Sequence, residues 1–309
     1  MVILDRIQTQ LRCPATKTQL KKSGEYLESV SNPSIQYPII DGIPILIDDQ
    51  KSLFCIDDFV NKRNTTFNIN AKPNLIKRTF QKFRDKLPSI SSNIKGKYNY
   101  QKLASLLPAK AIILIIGGSV KGEGIEAIYD NDSFEIIESD VSFGDCTKII
   151  CDAHDLPFED KTFDCVIVQA VLEHVLEPQQ CVSEIHRVLK DSGIVYAETP
   201  FMQQVHMKQY DFTRFTHLGH RWLFKHFEEI NSGPCCGPGM ALAWSYSAFL
   251  KSFSNSVSIN RLLSLFAQIT SFFFKYFDYF LIDQAGSYDA ASGYYFLGDA
   301  TAVKKVVNL

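Results

Sequence analysis

The chain has 309 residues, enough for one large core plus a smaller appendage, and its 46% hydrophobic and 21% charged residues are those of a folded globular protein. Disordered and collagen-like classes are thereby excluded. With 32 basic against 34 acidic side chains the net charge is -2, so no global field draws in nucleic acid, and DNA is not an expected partner.

From the N-terminus, Met1 to Leu11 carries an early acid and lacks the basic, apolar and small-residue segments of a signal peptide, so a cytoplasmic location is expected. Residues 1–50 read as a small β-rich unit, in which Cys13-Pro14 and the run from Tyr37 to Ile47 bracket a polar middle. Residues 51–95 turn polar and basic, a linker with one short helix at Asn74 to Lys86. Residues 96–309 hold the main domain and a helical extension. Within it, apolar runs at 111–116, 134–139, 148–151, 164–169 and 194–199 alternate with helical segments. One of these, 178–190, sets Cys181, Val182, Ile185, Val188 and Leu189 on one face, with Gly193 as its stop signal. Continuously apolar strands joined by helices predict an α/β fold, a doubly wound parallel sheet. The eight cysteines are scattered through these patterns and read as reduced core thiols.

The first strand runs into Gly117-Gly118-Ser119-Val120-Lys121-Gly122-Glu123-Gly124, a glycine-rich turn leading into a helix, where the backbone can approach a ligand closely. About twenty residues on, the second strand ends at Asp140, whose carboxylate suits the two ribose hydroxyls of a nucleoside cofactor. An exposed strand-end carboxylate is the alternative. After the third strand comes Cys151-Asp152-Ala153-His154-Asp155-Leu156-Pro157-Phe158, then Asp160, Phe163 and Asp164.

In this order the motifs resemble the class I S-adenosylmethionine-dependent methyltransferases, specifically the methyltransferase type 11 group, over roughly residues 97–230. The resemblance implies S-adenosylmethionine as cofactor in a Rossmann-like sheet. It gives the methionine moiety to Gly117, Gly118 and Ser119, the ribose to Asp140 with Val141 beside it, and adenine to the Asp152 side chain and the Ala153 backbone. Gln169, followed by Ala170-Val171-Leu172-Glu173-His174-Val175, resembles the stretch lying beneath the sulfonium. The glycine loop departs from the family pattern: Ile115 replaces the acidic residue, and Ser119 replaces the second glycine.

Beyond the fifth strand lies a polar and aromatic stretch from Glu198 to Trp222, which holds three of the seven histidines. Methyl transfer is an in-line displacement, so the acceptor must be held against the methyl carbon and relieved of its proton. His206, then His174 and His217, are the candidate bases. Tyr210, Asp211 and Arg214 are candidate acceptor contacts, with Asp211 and Arg214 alternatively forming an ion pair that ties the loop down. The expected acceptor is a small molecule or a glycan-type intermediate.

Residues 11–47 resemble the zinc-ribbon domain of the tRNA-methyltransferase activator type, but the four ligand positions read Cys13, Thr16, Ser31 and Ser34. One thiol and three hydroxyls do not make a tetrahedral zinc site, so no metal is expected. Docking on the catalytic domain or on a partner is the role this leaves. Towards the C-terminus, Gly233 to Met240 reads as a tight turn around Cys235-Cys236, with helices near 241–254 and 260–281 and a last strand at Tyr294 to Gly298. Lys275 and Asp278 interrupt the apolar run, so no integral span is expected, and at most a weak contact with a membrane surface. Two other readings remain open at this level: a non-catalytic binding module of the same fold, and RNA methylation. The acceptor and the oligomeric state are not legible.

Overall fold

Ile112–Ile116 (β5) and Phe163–Gln169 (β8) are apolar throughout their middles because both faces of their sheet are covered. Leu114, Ile116, Val166 and Val168 enter one core, while Ile113, Ile115, Cys165 and Ile167 enter another on the opposite face. The computed structural model describes residues 7–63, 65–66 and 87–301; the expected helix at Asn74 to Lys86 lies outside them.

Four short strands come first: Leu20–Ser23 (β1), Tyr26–Ser29 (β2), Gln36–Ile40 (β3) and Ile43–Leu46 (β4). Asp41 and Gly42, with φ of 52° and 82°, make the two-residue turn that pairs Ile40 with Ile43. Two consecutive positive φ values are what a tight hairpin with native twist requires. After helices Ile56–Val60 (α1) and Gly96–Leu106 (α2) the main sheet begins with β5, the short helix Glu126–Tyr129 (α3), Glu135–Asp140 (β6), Ile149–Cys151 (β7) and β8. Helix Pro178–Val188 (α4) and strand Leu189–Pro200 (β9) follow. Helix His217–Leu223 (α5), strand Glu228–Cys236 (β10), helices Pro238–Lys251 (α6), Val257–Ser271 (α7), Phe274–Leu281 (α8) and Ser287–Ala290 (α9), and strand Gly293–Asp299 (β11) complete the order.

The strands form one sheet in the order β1-β2-β3-β4-β7-β6-β5-β8-β9-β11-β10. From β4 to β9 they are parallel, and β11 and β10 close the far edge antiparallel, so the fold is a doubly wound Rossmann-like α/β sheet with a small N-terminal β-rich region. The N-terminal strands extend the sheet, with Ile45 opposite Ile150 and Leu46 opposite Cys151. They also share its core: Leu11, Leu20, Leu27 and Tyr37 belong to the same buried cluster as Phe158 and Phe163.

Within this region the four expected ligand positions separate. Thr16, Thr18, Ser29 and Ser31 join in a ring of hydroxyl contacts of 2.8–3.2 Å, with the Cys13 thiol 3.4 Å from the Tyr37 hydroxyl. Ser34 instead donates to Asn32 at 2.6 Å. Ser29, unread as a member, takes its place.

Three local readings are corrected. Helix α4 ends at Val188, and Gly193 lies in a bulge of β9, since Leu189 faces Phe163 and Ile194 already faces Cys165. Cys235 and Cys236 end β10 as free thiols, not in a tight turn, and Pro238 then opens α6. The single helix expected at 260–281 is two, bent by 46°. Asp278, which seemed only to interrupt that apolar run, is fully buried and accepts the Gly239 and Met240 amides at 2.6 and 2.9 Å, capping α6. A side chain at Gly239 would meet the Phe274 carbonyl and Asp278, so this close approach needs glycine. No single helix among the described residues is long and apolar enough to cross a membrane.

Candidate functional site

A cavity of about 310 Å³ opens at the carboxyl ends of the parallel strands, where the chain leaves β5 to one side and β8 to the other. Ligands of open α/β sheets bind at such a switch point. Its walls are Ile116 and Gly117 after β5, Asp140 and Val141 at the end of β6, and Cys151 to His154 after β7. Ala170, Val171 and His174 to Leu176 follow β8, and His206, Met207 and Tyr210 come from the loop after β9. Leu53, Phe54 and Thr66 close it from the N-terminal side.

Gly117 has φ of 75°, and a side chain there would run into Val171. Its amide and that of Gly118 both donate to the Ser139 carbonyl, at 2.9 and 3.0 Å, which folds the turn against β6. The Ser119 amide donates to Asp140 Oδ2 at 3.1 Å. Asp140 is 7% exposed, and burial raises its pKa against those hydrogen bonds. Ser119 thus supports the Asp140 carboxylate, Gly118 ties the turn to β6, and both lie outside the cavity lining.

Asp152 and Ala153 line the cavity as the resemblance implies. The Asp152 carboxylate, however, is already engaged: Oδ1 accepts the His154 amide at 3.0 Å and faces its Nδ1 at 2.6 Å, while Oδ2 accepts the Ser52 hydroxyl. Burial pushes its pKa up, but the bonds from His154 and Ser52 prevail and hold it low. Gln169 does not line the cavity. Its amide donates to Glu198 at 2.7 Å and to the Glu123 carbonyl at 3.4 Å, so the expectation that it lies beneath a sulfonium gives way to a structural tie.

Between the loops after β8 and β9 Glu173, His174 and His206 converge, with one ligating atom of each within 4.8 Å of the others. Glu173 is fully buried, neither oxygen has a hydrogen-bond partner among the described residues, and burial pushes its pKa up to about 8. His174 donates Nδ1–H to the Tyr210 carbonyl at 2.6 Å, and burial holds its pKa low. The His206 side chain is 25% exposed, and its amide donates to Asp211 at 2.8 Å.

Asp211 and Arg214 take the loop-tying role. Arg214 spends its guanidinium on both Asp211 oxygens and on the carbonyls of Gln203, Gln204 and Thr213, which leaves no free face for an acceptor. Although burial raises the Asp211 carboxyl, Arg214 and the His206 amide draw it well below the usual range. His217 lies outside the cavity, against Tyr288 and Tyr294 with Nε2 3.2 Å from the Ser232 hydroxyl, so it is not placed as a base. Tyr210 lines the cavity, its ring 5.6 Å from that of Phe54 and tilted by 39° to it.

A second recess of about 130 Å³ adjoins the first, lined by Glu173, Thr199, Gln203, His206 and Ser292 among others. The hydroxyls of Thr199 and Ser292 have no partner among the described residues. Ala170 and His206 line both cavities. Ala170 has φ of 54°, a left-handed backbone that a residue with a side chain adopts at a cost.

Sequence reasoning missed Leu53, Phe54 and Thr66, which belong to a stretch read as linker. Two apolar residues in a polar segment were the available signal. It quoted Glu173 only as part of the stretch resembling the one beneath the sulfonium and gave it no role of its own, because its isolation is a property of burial that spacing does not encode.

No curated protein matches the chain. Among solved structures, a chain of the complex between the Haloferax volcanii Trm112 methyltransferase activator and a methyltransferase is similar at 16% identity and TM-score 0.42, covering 73% of this chain and 95% of that one. The [4+2]-cyclase SpnF is similar at 14% identity and TM-score 0.39, over 66% and 81%. Phosphoethanolamine N-methyltransferase 2 of Haemonchus contortus, in complex with phosphomonomethylethanolamine and S-adenosylhomocysteine, is similar at 13% identity and TM-score 0.46, over 76% and 59%. None of these distant likenesses bears on what this chain acts on. Residues 130–197, which carry Asp140, Asp152, Ala153, Glu173 and His174, match the family described as a methyltransferase domain.

Proposed function

We propose that the chain is an S-adenosylmethionine-dependent methyltransferase that seats its cofactor in the larger cavity and a polar small-molecule or glycan-type acceptor in the smaller recess. One observation carries this reading: the two cavities meet at Ala170 and His206. The methyltransferase-domain match over residues 130–197 supports it.

The lining fits a nucleoside cofactor. A buried carboxylate, Asp140, stands at a strand end, apolar walls come from Leu53, Phe54, Ala153 and Val175, and a glycine bends the backbone at the switch point. When bound, S-adenosylmethionine supplies an electrophilic methyl group on a sulfonium. Asp140 would accept the ribose hydroxyls, Ala153 and Phe54 would flank the base, and Leu53 and Phe54 would keep water out. Thr199 and Ser292 offer unpaired hydroxyls to an acceptor with several polar groups. His206 lines both cavities and, with Glu173 and His174, borders the recess in which the acceptor would lie; in the ion-free chain a His206 nitrogen is the group that would take up the acceptor's proton.

Calorimetric titration with S-adenosylhomocysteine tests this. The wild-type chain binds, and Asp140→Ala weakens binding by about 10–100-fold, because a hydrogen bond to a charged group is worth about 1.5–3 kcal/mol. Absence of binding at millimolar ligand, or binding indifferent to Asp140→Ala, overturns the proposal.

A further inference from the structure

We infer that Glu173, His174 and His206 form a site for one divalent first-row transition-metal ion, of the two-histidine, one-carboxylate type. The distances are those of a site slightly open without its ion. His174 Nε2 is 3.6 Å and His206 Nε2 is 3.9 Å from Glu173 Oε1, and the three ligating atoms fit within 4.8 Å. Bonds of about 2.0–2.2 Å in a tetrahedral site hold neighbouring ligand atoms about 3.3–3.6 Å apart, so the two contacts to Glu173 close by at most about 0.6 Å and a pair at the 4.8 Å limit by about 1.2–1.5 Å.

The hydrogen bonds around the rings fix which nitrogen is free. A carbonyl oxygen only accepts, so the 2.6 Å contact from His174 Nδ1 to the Tyr210 carbonyl puts the proton on Nδ1 and the lone pair on Nε2. His206 Nδ1 likewise faces acceptors alone, the Gln204 carbonyl and Asp211 Oδ2, each at 3.4 Å. Both Nε2 lone pairs therefore turn towards Glu173. Ligating histidines characteristically carry this outer arrangement, with the second ring nitrogen donating to a carbonyl or a carboxylate.

Glu173 supplies an independent indication. It is fully buried, and both its oxygens lack hydrogen-bond partners among the described residues. An unpaired buried carboxylate is costly. The nearest guanidinium, that of Arg214, is committed to Asp211, and the contacts to the two histidine nitrogens are too long for hydrogen bonds. A dication accepting one carboxylate and two imidazole lone pairs satisfies all three groups together. Two imidazoles with a single carboxylate favour Zn²⁺, Co²⁺ or Fe²⁺ over Mg²⁺ and Ca²⁺, which take mostly oxygen ligands. Because Glu173 and His206 also line the smaller recess, together with Thr199 and Ser292, an ion held there would be open to a ligand in that recess. The class of ligand the ion would take there is an oxygen donor, a hydroxyl with a neighbouring hydroxyl or carbonyl.

Ion binding does not rest on methyl transfer, and it is measured without cofactor. The full chain, stripped with a chelator and dialysed, is titrated with Co²⁺ and then challenged with Zn²⁺. The expected result is one Co²⁺ per chain with the visible absorption of nitrogen and oxygen ligation, displaced by Zn²⁺. His206→Asn and Glu173→Gln each weaken binding at least about tenfold, since even outer partners of a metal site contribute 10–100-fold. His186→Asn, on α4 and in the lining of neither the cofactor cavity nor the recess, leaves it unchanged. His206 lies on a part-exposed loop, so its variant keeps the fold, as far-ultraviolet circular dichroism would verify. No stoichiometric Co²⁺ or Zn²⁺ binding, binding that survives both substitutions, or an intense thiolate band overturns the site. Titration of the same samples with S-adenosylhomocysteine reports on the cofactor separately: an ion without nucleoside binding keeps the metal site and removes the methyltransferase.

Discussion

Glu173 and Glu198 are both buried at the carboxyl end of the sheet, at 0% and 6% exposure, yet their surroundings are opposite. Glu198 accepts from Asn93 at 2.8 Å, from Gln169 at 2.7 Å and from the Tyr196 hydroxyl. Glu173 accepts from nothing among the described residues. Burial raises the pKa of each, but at Glu198 the bonds from Tyr196, Gln169 and Asn93 work against it. A buried acid with its full set of donors is a structural knot, whereas one without them, beside two cavities, is a group kept for something that comes and goes. The N-terminal hydroxyl ring makes the same point, because Thr16, Thr18, Ser29 and Ser31 satisfy one another and leave nothing open.

Breaking the knot gives the largest effect. Glu198→Ala removes the acceptor of three donors, the buried Tyr196 hydroxyl and the half-buried Gln169 and Asn93 amides, the last on a side chain whose Oδ1 also holds the Gly96 amide of α2 at 2.8 Å. A buried stranded donor costs about 1–3 kcal/mol and a half-buried one less, so the expected loss of unfolding free energy in denaturant is about 3 kcal/mol. Glu173→Met should move the other way. The metal-free chain gains about 2 kcal/mol, because an unsatisfied buried polar group is replaced by an apolar one of similar shape, while methyl transfer and ion binding are lost. A Glu173→Met variant as unstable as Glu198→Ala would erase the contrast.

The sequence makes one half of this contrast legible and hides the other. Ordered apolar runs, the glycine turn and Asp140 announce the sheet and the cofactor end, since periodicity and strand-end position are local properties. Gln169 reads as a residue of the stretch beneath the sulfonium and Glu198 as the start of the polar stretch after the fifth strand, and only the fold reveals that they bind each other. His206 is placed near the chemistry by its loop, but His217, eleven positions on, belongs to the start of α5 and packs on tyrosines. Arg214 looks like an anion grip until its donors are followed to the loop's own carbonyls. Long-range satisfaction of hydrogen bonds is what spacing does not carry.

His220 sharpens the comparison from a third side. Like Glu173 it is a buried titratable group with an unpartnered atom, Nε2, but it lines neither cavity and sits among Phe215, Phe224 and Phe296. Burial, with His217 beside it, pushes its pKa down from 6.5 to about 3. The ring stays neutral in the folded chain and charges in the unfolded one, so stability is complete above about pH 6.5 and falls as pH drops towards 3, at about 1.4 kcal/mol per pH unit at most. His220→Leu should flatten that part of the unfolding profile and leave S-adenosylhomocysteine binding intact. A change in ligand binding would place His220 in the site after all.

The smallest effect belongs to the residue that joins the two glutamates. The Ala170 amide donates to the Glu198 carbonyl at 2.9 Å, and the chain then turns through a φ of 54° into the segment that delivers Glu173 and His174. A left-handed alanine costs about 1–2 kcal/mol, which glycine would relieve, but glycine adds backbone entropy to the unfolded chain worth about 0.5–1 kcal/mol. The two nearly cancel, so Ala170→Gly should shift unfolding free energy by less than about 1 kcal/mol, upward if at all. Its effect should appear instead in ligand affinity. A rigid turn holds the floor shared by the two cavities, and freeing it makes each binding event order the backbone again. S-adenosylhomocysteine affinity falling a few-fold while stability holds would show that the strain serves the site; a loss of more than about 1 kcal/mol of stability would show that it serves the Glu198 knot.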